Sequence, residues 1–230
     1  MNVVIKRLNS SLGKETLPLV GFLLLLILAF SIASPRFLTG ANLGSIAFQL
    51  PVLGLLTLAM MVPILSGGLN LAIIFAANIS GLTLAWTLIQ FGGPEAGFSA
   101  FLIGAAAALI VGTISGAVMG LVIAYIGAHP ILVSLAMMIF LRGLGEFLTR
   151  GGDISGFPEY MHFIGHGSIL GIPVPLLIFF GAAIAWHIML TGTRHGFSVY
   201  MIGSNIEAAE YSGLHTKRTL TLIYAISGFI

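Results

Sequence analysis

Two pairs of ionisable residues in this sequence have spacings that permit chemistry on a helix. His162 and His166 lie four positions apart, the spacing with which one helix face presents two ligands to a metal ion. The stretch "HFIGHG" contains two glycines and no third ligand, so we expect neither a stable helix nor a metal site there. Arg142 and Glu146 have the same spacing and opposite charges, which predicts a local ion pair near the end of a helix.

A third polar group lies within an apolar part of the sequence. The stretch "SGGLNLA", residues 66–72, places paired glycines and one amide among apolar side chains. Glycines interrupt helices, and broken helices near the middle of a membrane are where transporters place solute paths. Gly67, Gly68 and Asn70 are therefore candidates for a translocation path. The structural alternative is an Asn70 side chain bonded to an adjacent helix.

The most polar stretch is "MIGSNIEAAEYSGLHTKRTL", residues 201–220. Ser204 and Glu207 stand three apart as a capping box at the start of a two-turn helix, and Gly213 suits a left-handed helix end. The middle of this helix is small and allows close approach. A helix so short is unstable alone in water, so we expect it to dock on another protein, with its own helical bundle as the alternative surface.

Several kinds of site are excluded by what the sequence lacks. It has no cysteine, and therefore no disulfide, thiolate metal site or cysteine nucleophile. It has no G-x-x-x-x-G-K-[ST] phosphate loop and no serine–histidine–acid or paired-carboxylate arrangement. A net charge of +2 is too small for a nucleic-acid surface. We expect a protein that is not an enzyme and needs no cofactor.

The composition is that of an integral membrane protein. Only 7% of the residues are charged, against about a quarter in soluble domains. A spanning helix needs roughly 20 apolar residues. Six stretches meet that length: 16–35, 42–66, 69–91, 98–126, 131–149 and 173–190. A seventh begins after Arg218 and has about 12 residues, so we expect the sequence to be the N-terminal part of a longer protein.

The predicted fold is therefore all-α and polytopic, one transmembrane domain over residues 1–230 with six complete helices and part of a seventh. The positive-inside rule places the N-terminus in the cytoplasm, because most lysines and arginines then face that side. Those residues are Lys6, Arg7, Lys14, Arg194, Lys217 and Arg218. Residues 1–15 and 191–217 become cytoplasmic segments, and residues 150–172 form an extracytoplasmic loop.

Small residues recur at every fourth position of the fourth predicted span. Gly112, Gly116 and Gly120 form a doubled G-x-x-x-G motif. Such a stripe lets two helix backbones approach closely in a membrane. We predict that it packs against a neighbouring helix.

The polar stretch also carries a resemblance to a known family. Gly203, Asn205, Ala208, Ala209 and Ser212 to Leu214 match the form G-x-N-x-x-A-A-x-x-S-G-[IL]. This pattern resembles the cytoplasmic coupling-helix region of bacterial ABC importer permeases of the ribose and simple-sugar type. The likeness runs from about Phe37 to the end and includes "FLRGLGEFLTRGG" and "GIPVPLLIFF".

The resemblance implies a permease subunit of the bacterial inner membrane that moves a monosaccharide or related polyol by ATP-driven alternating access. Its implied partners are a pair of ATP-binding subunits, a second permease subunit and an extracytoplasmic solute-binding protein, which the 150–172 loop could contact. The residues implied in coupling are Asn205, Glu207, Ala208, Ala209, Ser212 and Gly213. The family pattern at the interrupted segment is G-G-[IV]-D-L-S, and this chain has Asn70 and Ala72 in place of the acid and the serine.

Two alternatives keep the membrane fold. The cargo could be a nucleoside, a signalling furanose or an amino acid. A secondary transporter driven by an ion gradient would instead need ionisable groups within the membrane. Asn70, Arg142, Glu146 and His187 are the candidates, and they form no evident relay.

Overall fold

The computed structural model describes residues 2–230, with side chains from Leu17 onward. Ten helices lie in this part of the chain. They are α1 (Asn2–Ala33), α2 (Gly40–Leu65), α3 (Ile73–Gln90), α4 (Phe98–Leu121), α5 (Pro130–Thr149), α6 (Glu159–His166), α7 (Val174–Gly192), α8 (Arg194–Ser204), α9 (Ile206–Tyr211) and α10 (Thr216–Phe229). A 3-10 turn, Gly93–Glu95, precedes α4, and a π-helical turn, Val122–Ile126, extends it. Two short strands, β1 (Ser168–Ile169) and β2 (Ile172–Pro173), form a hairpin.

Five of the described helices are long and apolar enough to cross a membrane. They are α2, α3, α4 with its π-helical turn, α5 and α7, and they coincide closely with five of the predicted spans. The apolar part of α1, Leu17–Ala33, is shorter, and α10 has 14 residues. Six complete spans and an N-terminus in the cytoplasm therefore stay predictions. The predicted cytoplasmic segment 1–15 lies outside the part of the chain whose side chains the structure describes.

The chain divides into two compact units, residues 1–49 and 50–230. In the first unit, Asn42 donates from its amide to the Phe37 carbonyl at 2.7 Å and holds the turn before α2. In the second unit, the core includes Val62, Met119, Val199 and Tyr224. Large apolar side chains are exposed along most of the long helices, as expected for surfaces that face lipid.

Helix α10 packs along α4 through glycines on both helices. A Cβ added at Gly116 would overlap the carbonyl oxygen of Tyr224. One added at Gly112 would overlap the Gly228 carbonyl, and one at Gly120 would lie 2.7 Å from the Thr221 Cα. The glycine stripe of the fourth predicted span thus faces α10, backbone against backbone.

The predicted loop 150–172 contains the helix α6 and the β1–β2 hairpin. Tyr160 on α6 donates from its hydroxyl to the Gly97 carbonyl at 3.2 Å. Its ring lies edge-on to Phe98 and Phe101, each at 6.1 Å between centroids. The expectation of no stable helix around "HFIGHG" is wrong, because these contacts add tertiary support that helix propensity alone does not include.

Candidate functional site

The stretch of residues 193–214 folds into two short helices joined at one extended residue. Thr193 caps α8, its hydroxyl accepting from the Gly196 N–H at 3.1 Å. Asn205 lies between the two helices with φ −161° and ψ 112°, and its side-chain oxygen accepts from the Ala208 N–H at 2.9 Å. The predicted cap at Ser204 is wrong by one residue. Helix α8 continues through Ser204, so the first residue free to cap α9 is Asn205, itself a preferred cap.

The end of α9 forms a Schellman motif. Gly213 takes φ +81°, the left-handed conformation predicted for it. Its N–H donates to the Glu210 carbonyl at 2.9 Å, and the Leu214 N–H donates to the Ala209 carbonyl at 3.1 Å. Both bonds satisfy carbonyls that the helix leaves without partners. The six-residue helix α9 is thus closed at both ends by its own sequence.

One side of α9 is held by the protein and the rest is exposed. Ala209 is fully buried, whereas Glu207, Ala208, Glu210 and Ser212 are exposed. Tyr211 is 93% exposed, and Ile206 is 45% exposed. Tyr211 is of a residue type enriched at protein interfaces, and the small Ala208 and Ser212 leave room for close approach by another protein.

Helix α8 joins α9 to the rest of the second unit. Val199 and Ile202 are buried in it, and Gly203 lies directly against the end of α2. A Cβ at Gly203 would overlap the Leu65 carbonyl oxygen, so the two backbones touch without an intervening side chain. Burial also lowers the pKa of His195, whose buried Nε2 atom has no hydrogen-bond partner among the described residues.

The interrupted segment 66–72 begins at the residue after Leu65, where α8 contacts α2, and it is hydrogen-bonded to α10. Asn70 is fully buried. Its amide nitrogen donates to the Ser227 hydroxyl at 2.9 Å, and its oxygen accepts from the Ala72 N–H at 3.0 Å. The Tyr224 hydroxyl donates to the Leu69 carbonyl at 3.4 Å.

The predicted path residues therefore have different surroundings. Gly67 is exposed at φ +80°, and Gly68 faces the Tyr224 hydroxyl, which occupies the space a Cβ would need. Asn70 contacts protein on all sides in this structure. Tyr224 and Ser227, which hold this segment, were not among the predicted site residues. Their signal was two hydroxyls within the short last apolar stretch of the sequence.

The two ionisable pairs differ in outcome. Arg142 and Glu146 form the predicted ion pair, with Nε and Oε1 2.9 Å apart. His162 and His166 lie on α6 with ring centroids 6.2 Å apart. Among the described side chains, no three histidine, aspartate or glutamate residues come together as a metal site. His187 is exposed on α7.

A family match covers most of the chain. The family described as "Branched-chain amino acid transport system / permease component" matches residues 42–230. No solved structure matches the chain.

Curated relatives include three permease proteins. The chain is 31% identical over 212 residues to the ribose import permease protein RbsC of Escherichia coli strain K12, covering 90% of this chain and 64% of that protein. It is 29% identical over 210 residues to the D-allose transport system permease protein AlsC of the same strain, covering 90% and 62%. It is 29% identical over 220 residues to the autoinducer 2 import system permease protein LsrD of Salmonella paratyphi A, covering 91% and 63%. The chain thus spans less than two thirds of these relatives.

Proposed function

The chain belongs to the family of branched-chain amino acid transport system permease components, and on that premise we propose that it is part of the permease subunit of an ABC importer. The importer moves a monosaccharide or related polyol across the inner membrane by ATP-driven alternating access. A separate subunit hydrolyses the ATP. Relatives named for ribose and D-allose import support a sugar as the cargo.

The observation that carries this proposal is the α8–α9 unit. Its capped, exposed helix α9 is mounted on α8, and α8 contacts the end of a membrane helix through Gly203. We assign coupling to α9 and its caps. The residues of this set are Asn205, Glu207, Ala208, Ala209, Ser212 and Gly213. Ala209 is the buried anchor of this set, and the others present the contact or close the helix.

In this mechanism, α9 seats on one of a pair of ATP-binding subunits on the cytoplasmic side. Closure of the ATP-binding pair displaces α9 and α8 together, and the displacement reaches the segment 66–72 at the end of α2. Gly67, Gly68 and Asn70 then belong to the part of the path that rearranges. A second permease subunit and an extracytoplasmic solute-binding protein complete the importer, with the 150–172 segment facing the binding protein.

The test is co-purification from detergent-solubilised bacterial membranes with the tagged full-length parent of this chain. Glu207→Arg combined with Ala208→Arg changes two exposed positions of α9 and leaves its caps intact. Glu95→Arg, on an exposed turn at the predicted opposite side of the membrane, is the matched control. We expect the ATP-binding subunit to be retained with the parent and the control and to fall by at least about tenfold with the α9 variant. Equal recovery from all three samples refutes the docking role.

A non-sugar cargo is the second candidate. The family description names branched-chain amino acids, and one relative is named for autoinducer 2 import. Solute binding by the partner binding protein, measured against D-ribose, D-allose and leucine, separates these cargoes. An ion-coupled transporter is the less supported reading, and uptake that persists without ATP but stops with the proton gradient would support it.

A further inference from the structure

A polar cavity lies between α3 and α5, away from both the α9 surface and the segment 66–72. Its volume is about 300 Å³. Asn78 on α3 lines it together with Arg142, Glu146 and Thr149 on α5, and the segment 151–154, which includes Asp153, completes the lining. This volume is at the lower end of the range for small-molecule pockets, which is roughly 300–1,000 Å³.

The cavity extends along α3 and reaches the end of α5. Gly145, between the two charged residues, packs against Ile79 and Leu82 of α3, each 3.5 Å from where its Cβ would be. Helix α3 continues for eight residues beyond Leu82, up to Gln90. At 1.5 Å per residue, the ion pair lies roughly 12 Å below that end of α3. On α5 itself, Arg142 and Glu146 lie seven and three residues before the last residue, Thr149, roughly 10 and 5 Å from the end of that helix.

The side chains on this face are polar and exposed. The Arg142 and Glu146 side chains are each 64% exposed. Asn78 is exposed as well, and no described residue forms a hydrogen bond with its amide. Ionisable groups within spanning helices mostly face the bundle interior or a water-filled cavity, because a charged side chain that faces lipid is costly. The exposed polar groups of the α3–α5 face therefore match water or other polar groups rather than lipid.

The chemistry of the lining suits a ligand rich in hydroxyl groups. The guanidinium of Arg142 donates only, the carboxylates of Glu146 and Asp153 accept only, and the amide of Asn78 does both. Adjacent hydroxyls of a sugar need donors and acceptors side by side. The second carboxylate gives the lining a net negative charge, which disfavours an anion, and the charged groups make stronger hydrogen bonds than neutral ones.

We infer that Asn78, Arg142 and Glu146 line a water-accessible site that binds a neutral polyhydroxylated solute on its way through the permease. This inference rests on the proposed function for the identity of the solute. The water access of the cavity does not depend on that identity, so the two can fail separately.

Water access can be tested with single cysteines, because this stretch of 230 residues has none. Cysteines elsewhere in the full-length parent are replaced by serine, and the complex is prepared with its ATP-binding subunits in lipid nanodiscs. Asn78→Cys is compared with Phe140→Cys, which lies on the exposed apolar side of α5 two residues before Arg142. Two residues turn a helix by about 200°, so Phe140 points away from the cavity.

The reagent is a sulfonated methanethiosulfonate, which is charged and reacts with the thiolate. A thiol in apolar surroundings stays protonated and reacts slowly, and one pKa unit changes the thiolate fraction about tenfold. We expect Asn78→Cys to react at least about tenfold faster than Phe140→Cys. Equal rates in a complex that retains its ATP-binding subunits overturn the inference and leave the proposed function standing.

Solute binding is tested by exchanging the charges of the ion pair. Uptake of labelled D-ribose and D-allose is measured in cells for Glu146→Gln and for the double variant Arg142→Glu/Glu146→Arg. The double variant keeps an i, i+4 pair and therefore preserves a purely structural role. We expect uptake to fall roughly 10- to 100-fold in both variants, because each loses a hydrogen bond between the solute and a charged group. The amount of complex in the membrane should stay normal.

Two other results of the uptake measurement would each refute a different claim. Restored uptake in the double variant overturns the solute site, since the pair is then structural. Uptake of neither sugar by the unsubstituted transporter counts against the cargo in the proposed function, while the labelling comparison still decides whether water reaches the cavity.

Discussion

The α4–α10 contact allows a prediction of opposite sign for the same substitution at two glycines. Gly116→Ala adds a methyl group where the Tyr224 carbonyl oxygen and the Ala225 Cα already lie. Both are backbone atoms, so no side chain can rotate away and the helices must separate. Gly81→Ala on α3 is the matched control, because nothing lies within 4 Å of its added Cβ.

The two effects have different sizes. Replacing a helical glycine by alanine without a clash stabilises a protein by about 0.5–1 kcal/mol. Overpacking a close contact costs about 1–3 kcal/mol. We therefore expect Gly81→Ala to raise the free energy of unfolding slightly and Gly116→Ala to lower it by roughly 1–2 kcal/mol.

The assay is thermal unfolding of the purified full-length complex in one detergent, followed by tryptophan fluorescence. A difference of this size separates the two melting temperatures by several degrees, at about 2–4 °C per kcal/mol for a domain of this length. A Gly116→Ala protein that melts at or above the temperature of Gly81→Ala contradicts the backbone contact between α4 and α10.

Two further predictions use the same thermal assay, and the one for Gly203→Ala uses uptake. Asn70→Leu leaves the Ala72 N–H and the Ser227 hydroxyl without their buried partner, so we expect a loss of about 1–3 kcal/mol, and an unchanged melting temperature would contradict the two hydrogen bonds. Gly203→Ala forces α8 away from α2, so we expect ATP-stimulated uptake to fall even where the complex still assembles; normal uptake would show that the contact is dispensable. His195 has a folded-state pKa below its ordinary 6.5, so the unfolded chain binds the proton more readily, and we expect stability to be lost as the pH falls below about 6.5. The pH dependence should be weaker in His195→Gln, and an equal dependence in both proteins would show that other groups cause it.

The long helices could be predicted because the membrane sets their length. The fourth predicted span, 98–126, coincides with α4 and its π-helical turn, and the fifth, 131–149, with α5. The third was predicted to begin at residue 69, whereas α3 begins at Ile73. There the Asn70 side chain accepts from the Ala72 N–H and holds the turn before the helix, a local bond that hydropathy does not register.

The sequence alone does not decide which of two neighbouring residues caps a helix. Ser204 and Asn205 are both preferred caps, and the selection of Asn205 follows from the continuation of α8 through Ser204. Gly213 could be predicted because only a left-handed residue closes the Schellman motif there. The glycine stripe on α4 predicted a close contact but not its partner. Likewise, Asn70 and Ser227 are 157 residues apart, and no spacing rule connects them.

The exposed helix α9 and the segment 66–72 are connected through a contact between backbones. Gly203 at the end of α8 touches the Leu65 carbonyl, and the next residues of the chain form the segment that Asn70 anchors to α10. A contact between side chains can absorb a displacement by changing rotamers, but a contact between two backbones at a glycine cannot. In the proposed mechanism, a displacement of α8 is therefore passed to the end of α2. The segment that follows α2 is bonded to α10 through the Asn70 and Ser227 side chains, and α10 lies backbone to backbone against α4, so α10 and α4 are the next elements that such a displacement would reach.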